Sequence, residues 1–429
     1  MKAENPDFDV EHFRTLFPAF RESPGGRTLY FDAVGGTQVP YSVISAISRY
    51  LTESNGNKGG TFRRSKATDE MVEGARFLIA AFLNVNNPNE VILGPNFTSL
   101  TFHLSRSISS RWLPGDEIIL SRLDHDANVS PWVRAAEDSG VTVKYVDIDD
   151  EIGQLKYGQL EELLSSKTKL VAFCAASSAI GTRPDVARVV SLVRKTPAVI
   201  YLDAVALAPH CPIDQSVLNV DFIGFSFYKI FGPHVSAVWG RGELLEDLKA
   251  YNISSSTSQI PQKWMNGAAQ YELIAGAVAA LRYIQLIGKS QRKYLTTCSS
   301  SEEDTLLLKA GMSAIERYES ELAWHFISEI LIGGKYLIHG VTNKRDWINR
   351  VPTICLSLPG VSADKLAAYL ASVGIDTWSR SVYSSGVFTS PTLRSMRQDG
   401  FIRVGIVHYN TMAEVNELLT VLHQYAKEI

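Results

Sequence analysis

Two residues with usable chemistry stand at the ends of hydrophobic segments. Asp203 ends "IYLD" and Lys229 ends "FSFYK", 26 positions later (229 minus 203), with a second strand-like run between them. A lysine beside an aspartate suits pyridoxal phosphate, where the lysine forms a Schiff base and the carboxylate keeps the pyridine nitrogen protonated. On these two residues alone, a structural ion pair at a sheet edge is the favoured alternative.

The surroundings of Lys229 are apolar, with Phe225, Phe227, Tyr228 and Phe231 close by in the sequence. Such a lysine either lies at the surface with its stem on a hydrophobic patch or is held partly desolvated. In the second case its pKa falls and the amine condenses with an aldehyde more readily. We therefore take Lys229 as the candidate nucleophile.

The elements that must position these residues follow an alternating pattern. Between about residues 89 and 240, short β-rich runs alternate with helical patterns, which predicts a three-layer α/β domain around a mainly parallel sheet. We place this large domain at 31–288 and a smaller α+β domain at 289–429. The segment 1–30 is expected to join the small domain.

Ligands of open parallel sheets bind outside the carboxyl ends of the strands. This rule selects His125, Asp203 and Lys229, each of which ends a strand-like run. Thr98 lies in "LGPNFTS", where a strand ends and a helix opens, so that free backbone N–H groups could hold a phosphate. The chain has no GxxxxGK[ST] loop.

Composition argues against several classes of partner. The chain is 45% hydrophobic and 20% charged with a formal net charge of -3, which gives no reason to expect nucleic acid. Its longest apolar segment is interrupted by Arg282 and Gln285, so no membrane span is expected. Four scattered cysteines without zinc spacing predict no metal. Without an apolar signal region at the start, we expect a cytoplasmic protein.

From about Leu29 to the C-terminus the chain resembles the class V aminotransferase superfamily of fold type I pyridoxal-phosphate enzymes, and within it the cysteine-desulfurase-like branch. Five stretches carry the resemblance in the right order and spacing: "YFDAVGGTQVP", "LDHDANVSPW", "IYLDAV", "VDFIGFSFYKIFGPH" and "RVGIVHYNT". The resemblance reverses the ranking above in favour of a pyridoxal phosphate site.

The resemblance implies a role for each matching residue around the cofactor ring. Lys229 would form the Schiff base and later move protons at the substrate carbon, and Asp203 would pair with the pyridine nitrogen. His125 would stack on the ring and act in proton transfer. Without the resemblance, a histidine that caps a strand end is equally acceptable.

The resemblance also assigns the phosphate and the substrate carboxylate. Thr98, Ser226, Tyr228 and the neighbouring Phe97 would contact the cofactor at its phosphate end; the ordinary alternatives are a helix cap, a turn hydroxyl and packing. Arg403 would grip the substrate carboxylate with two parallel hydrogen bonds. Its alternative, a surface arginine on an edge strand, is disfavoured by its apolar neighbours.

The sequence departs from the family pattern at several positions. The region that should carry the mobile desulfurase cysteine, 377–390, contains none. Ser178 stands where relatives have an asparagine near the substrate, so we count it as substrate-binding. Ala206 replaces a glutamine or histidine near the cofactor, and Ala268 replaces a threonine that reaches the partner subunit.

These features predict a pyridoxal-phosphate enzyme that acts on a small amino acid through an external aldimine. We expect lyase-type chemistry, either elimination or decarboxylation, with a possible carbon–carbon bond formed by the carbanion and a second carbonyl or imine reactant. One alternative is a desulfurase-like or C–S lyase that releases sulfur without an enzyme cysteine. Another is a non-catalytic protein that keeps the fold. A homodimer is expected from the family, and the loop 381–400 is a candidate to close over the site.

Overall fold

Thirteen strands make up the sheets in the part of the chain that the computed structural model describes, residues 8–21, 27–149, 152–291, 300–380 and 400–428. They are β1 (Leu29–Tyr30), β2 (Val91–Gly94), β3 (Glu117–Ser121), β4 (Thr142–Val146), β5 (Thr168–Cys174), β6 (Val199–Asp203), β7 (Phe222–Ser226), β8 (Ser236–Gly240), β9 (Leu337–His339), β10 (Thr353–Ser357), β11 (Ile375–Asp376), β12 (Trp378–Arg380) and β13 (Phe401–Gly405).

The same part of the chain also forms thirteen α-helices, joined by short 3-10 turns, one π-helical turn (Tyr50–Ser54) and loops. They are α1 (Val10–Arg14), α2 (Tyr41–Arg49), α3 (Arg63–Leu83), α4 (Phe97–Ser109), α5 (Ser130–Ser139), α6 (Tyr157–Leu163), α7 (Val186–Val193), α8 (Gln215–Leu218), α9 (Gly242–Asp247), α10 (Tyr271–Ser290), α11 (Ser300–Gly333), α12 (Ala363–Ser372) and α13 (Met412–Glu428).

Seven strands form the central sheet in the order β2-β8-β7-β6-β5-β3-β4. β8 is antiparallel to both of its neighbours, and the other four pairs of neighbours are parallel. β5, β6 and β7 run in the same direction, so their carboxyl ends lie at one edge of the sheet. This edge is where the residues predicted from the sequence come together.

Both faces of the central sheet are covered, as the continuous apolar strands require. Successive side chains of a strand point to opposite faces, and the two faces of β5 enter different hydrophobic cores. Leu170 and Ala172 belong to the core under α4 and α5, whereas Val171 and Phe173 belong to the core shared with α3, α10 and α11. The predicted α/β fold class with a mainly parallel sheet is confirmed.

A second, antiparallel sheet of four strands has the order β12-β13-β10-β9. The apolar run "FIRVGIVHY" was expected to be one strand, but β13 ends at Gly405. Beyond it, the amide of Ile406 donates to the carbonyl of Pro352, and the amide of Val407 donates to the Asn410 side chain in a local turn. Buried irregular backbone therefore replaces the predicted second half of the strand.

The segment at the start of the described chain packs against its end. β1 pairs in parallel with β11, and Arg14 makes two hydrogen bonds to the Glu414 carboxylate, at 2.7 and 3.0 Å. Glu414 also completes a capping box with Thr411 at the start of α13. The division of the chain at residues 30 and 288 stays a prediction.

Within the described ranges, no helix has both the length and the apolar character that crossing a bilayer requires.

Candidate active site

A cavity of about 210 Å³ opens at the carboxyl edge of the central sheet. Side chains from the ends of β5, β6 and β7 line it, and Arg403 and Trp378 of the second sheet line it as well. All nine residues selected from the sequence are among the lining residues: Phe97, Thr98, His125, Ser178, Asp203, Ser226, Tyr228, Lys229 and Arg403. Residues more than 300 positions apart are thus brought to one site, while their roles remain predictions.

Lys229 ends a short 3-10 turn that follows β7 directly. Its side-chain amine donates a hydrogen bond to the backbone carbonyl of Val34 and lies 4.9 Å from the centroid of the Tyr228 ring. Phe225 and Phe227 are fully buried in the core and do not line the cavity. Tyr228 therefore lines the cavity together with Lys229, whereas Phe225 and Phe227 pack in the core beneath the turn.

Asp203 is the last residue of β6 and is 4% exposed. Burial raises the pKa of its carboxyl to about 7, while the Val205 amide, which donates to Oδ1 at 2.8 Å, and the charge of Lys229 act in the opposite direction. A carboxyl held in this way ionises when a cation is placed against it. Asp203 is thus suited to pair with a protonated ring nitrogen.

His125 follows β3 and is half-buried at the cavity wall. The backbone amide of Ala127 donates to Nδ1 at 3.1 Å, which fixes the ring and, in the neutral form, places the proton on Nε2. The ring can therefore act as a donor through Nε2.

Asp124, which the sequence analysis missed, lies directly behind this wall and is fully buried. Its Oδ1 accepts from the Asn128 side chain at 2.6 Å, and its Oδ2 accepts from the backbone amide of Cys174 at 3.1 Å. Cys174 is the register partner of Asp203 on the neighbouring strand. Burial raises the pKa of Asp124 to about 8, and the nearby charge of Asp203 adds to this. The motif "LDHDAN" contains the residue, but only the fold shows that it is buried.

The part of the cavity beside the N-terminus of α4 has the features of an anion site. α4 begins at Phe97, and its cap residue Asn96 accepts from the amide of Ser99 at 2.8 Å. Thr98, in the first turn, and Ser226 supply hydroxyl groups, the second of which lies 2.8 Å from the hydroxyl of Ser236. A helix N-terminus with adjacent hydroxyl groups is suited to a phosphate.

Arg403 lies on β13, which is paired on both sides, by β10 and β12. The predicted alternative of an edge-strand arginine is thereby excluded. The side chain is 4% exposed, and Nη1 donates to the backbone carbonyl of Ser178 at 2.8 Å. A guanidinium can bind a carboxylate through two parallel hydrogen bonds, so Arg403 is suited to a carboxylate ligand.

Two of the departures from the family pattern lie at this cavity and one does not. Ser178 and Ala206 line it. Ala268 instead lines a second cavity of about 290 Å³, together with Ser99 and His103 of α4. Ala268 is thus not among the described residues that line the candidate active site.

Of the three cysteines in the described part of the chain, Cys174 alone lines the cavity. It is 2% exposed, and burial raises the pKa of its thiol well above the ordinary value. A neutral, buried thiol is a poor nucleophile. Residues 381–399, which include most of the expected desulfurase-cysteine region and the candidate closing loop, lie outside the described residues, as does Cys298. The described residues contain no group of three or more His, Cys, Asp or Glu side chains placed to hold a metal ion.

Comparisons with known proteins agree with this architecture. The family model for class V aminotransferases matches residues 29–306. An aminotransferase-like protein of Gibberella zeae, FGM3, is 28% identical over 97% of this chain and 98% of its own length. A cysteine desulfurase of Synechococcus elongatus is 28% identical over 97% of this chain and 64% of its own. The solved structure of a cysteine desulfurase from Thermococcus onnurineus has the same fold, with a TM-score of 0.84, 21% identity and coverage of 98% of both chains.

Proposed function

The chain belongs to the class V aminotransferase family and is a pyridoxal-phosphate-dependent enzyme of the cysteine-desulfurase-like branch, and from this premise we propose that it cleaves a bond at the α-carbon of a small amino acid. The reaction is lyase-type, an elimination or a decarboxylation, and differs from that of a standard cysteine desulfurase. A carbanion formed in this way can also be joined to a second carbonyl or imine reactant.

The residues at the cavity fit the cofactor. Lys229 would hold it covalently, Asp203 would lie against the ring nitrogen, and His125 would cover the ring. Thr98 and Ser226 would hold the phosphate at the N-terminus of α4. Asp203 is the one carboxyl group among the described lining residues, so no second acid repels the phosphate.

The cofactor, when bound, supplies an electron sink for the bond that breaks at the α-carbon. Arg403 binds the substrate carboxylate, and its contact with the Ser178 carbonyl fixes the direction of the guanidinium. Lys229 holds or moves the proton at the α-carbon, because its amine is placed by the Val34 carbonyl at the same cavity wall. His125 is positioned for a second proton transfer through Nε2.

One observation supports lyase chemistry over persulfide transfer. Cys174 is the one described cysteine at the cavity, and its thiol is buried and neutral. The cavity also extends to Ala206 and Ser178, where smaller side chains than the family pattern leave room for a bulkier substrate or a second reactant. A C–S lyase that passes sulfur to a small acceptor remains the second candidate, since relatives of this chain bear the name cysteine desulfurase.

A homodimer is part of the proposal. Ala268 lies away from the cavity of its own chain, and α2 presents an exposed apolar side with Tyr41 and Ile44. An exposed apolar helix side is a feature of subunit interfaces.

The proposal is tested by product analysis with single amino acids. The purified enzyme, loaded with pyridoxal phosphate, is incubated with each of a panel that includes cysteine, and carbon dioxide, keto acids and sulfide are measured. We expect carbon dioxide or a keto acid from one substrate class, with no sulfur on the protein. A persulfide on a protein cysteine, formed together with alanine from cysteine, would contradict the proposal. The Lys229→Ala variant is the control for cofactor-dependent turnover.

A further inference from the structure

Trp378 and Arg403 are direct register partners in the antiparallel pair of β12 and β13. Side chains of directly opposed residues leave the sheet on the same face. Both of these side chains line the central cavity. An indole side chain therefore lies beside Arg403, which is proposed to bind the substrate carboxylate.

The indole of Trp378 is held in place by a hydrogen bond and by close packing. Nε1 donates to the backbone carbonyl of Asp32 at 3.1 Å. The ring lies so close to Gly35 that a Cβ on that residue would come within 2.0 Å of Nε1 and 2.4 Å of Cε2. Gly35 thus leaves the space that the ring fills.

Despite these contacts the Trp378 side chain is 45% exposed. An aromatic ring that is fixed by a hydrogen bond and by close packing, yet keeps nearly half of its surface open at a cavity, provides a surface for an apolar group. Two further residues of the described lining, Val34 and Ala206, are apolar, while Ser178 is polar.

The charges at the cavity limit the substrate further. Lys229 and Arg403 are the two cationic side chains among the described lining residues. Lys229 is assigned to the cofactor and Arg403 to the α-carboxylate, so the described lining residues offer no further cation to a second carboxylate on the substrate side chain. An uncompensated charge in such a place is unfavourable.

We propose that Trp378 determines substrate specificity and that the substrate is an amino acid with an apolar side chain, which packs on the indole while its carboxylate binds Arg403. This inference rests on the proposed function. The position of the indole in turn requires a glycine at position 35, because a Cβ there would overlap the ring.

The test measures the binding of amino acids to the cofactor-loaded enzyme by the change in its visible absorption. The series alanine, 2-aminobutyrate, norvaline and norleucine adds one methylene at a time, and aspartate and glutamate serve as acidic comparisons. For the wild type we expect affinity to rise about fourfold per methylene, and we expect the acidic amino acids to bind more weakly than norvaline.

Three variants separate the explanations. Trp378→Ala is expected to abolish the dependence on side-chain length, and Trp378→Phe to keep most of it. Gly35→Ala, which displaces the ring without altering it, is expected to resemble Trp378→Ala. Trp347→Phe, at a tryptophan outside the cavity, is the matched control and should behave as wild type.

The outcomes also separate this inference from the function on which it rests. If amino acids shift the spectrum but the dependence on length is the same in Trp378→Ala and in the wild type, the inference is wrong and the proposed function stands. If the wild type binds the cofactor and no amino acid shifts its spectrum, both are wrong. Stronger binding of glutamate than of norvaline by the wild type would also overturn the inference.

Discussion

The side-chain amine of Lys229 donates a hydrogen bond to the backbone carbonyl of Val34, a residue 195 positions earlier in the chain. Val34 follows β1 and lies beside β13, since a Cβ on Gly405 would come within 2.7 Å of the Val34 backbone nitrogen. The position of the proposed catalytic lysine is therefore set by a segment that connects the two sheets, and not by its own strand alone.

Asp203 should make the stability of the cofactor-free protein depend on pH. Its pKa is raised from 3.8 to about 7 by burial, so the folded state keeps the proton to a higher pH than the unfolded state. The associated stability is present below about pH 4 and is lost as the pH rises to about 7. Asp203→Asn removes this loss, and at about pH 8 the cofactor-free variant should be more stable than the wild type by up to about 4 kcal/mol.

Urea unfolding of the cofactor-free forms across this pH range checks the prediction. Asp138→Asn, an exposed aspartate on α5, is the control and should follow the wild type at every pH. Equal pH dependence in the Asp203→Asn variant and in the wild type would show that Asp203 is not the group responsible. With substrate, the same variant should lose turnover on the order of 100-fold, because it cannot pair with a ring cation.

Asp124 should be a structural support of the site. Asp124→Ala leaves the Cys174 amide and the Asn128 side chain without an acceptor in a buried place. We expect the free energy of unfolding to fall by about 2–4 kcal/mol, measured near pH 7 by urea unfolding. Asp126→Ala is the matched control, since Asp126 is exposed on the same turn, and its cost should stay below about 1 kcal/mol. Similar losses for the two variants would contradict the role given to Asp124.

Arg403 should act on substrate binding more than on the chemical step. Arg403→Lys keeps the charge but loses the fork that binds a carboxylate at two points. We expect KM to rise about 10- to 100-fold with a smaller change in kcat, in line with the loss of a hydrogen bond to a charged group. Steady-state kinetics measures both constants, with Arg134→Lys, an exposed arginine, as control. A fall in kcat at unchanged KM would place Arg403 elsewhere in the mechanism.

Much of the site follows from the sequence because strand ends can be located in it. His125, Asp203 and Lys229 each follow an apolar run, and parallel strands bring such ends to one edge. The junction of a strand and a helix also indicated Thr98, and the family resemblance added Ser226 at the end of β7. These residues then line one cavity, as the geometry of a parallel sheet requires.

Other features depend on contacts that no local pattern predicts. Trp378 lies at the cavity because β12 pairs with β13. Position 35 must be a glycine because the indole of Trp378 lies where a Cβ would be. Asp124 follows a strand as an ordinary polar residue of a loop would, but it is fully buried. The run after Gly405 is apolar because it is buried, and apolarity alone does not separate a strand from irregular buried backbone.

The most direct test of the account is to find which residue holds the cofactor. The protein is saturated with pyridoxal phosphate, reduced with borohydride, digested and examined by mass spectrometry, alongside Lys229→Ala and Lys229→Arg. The account predicts a pyridoxyl group on the peptide that contains Lys229 in the wild type and on no peptide in either variant. A pyridoxyl group on a different lysine, or none in a wild type that has been saturated with the cofactor, would contradict it.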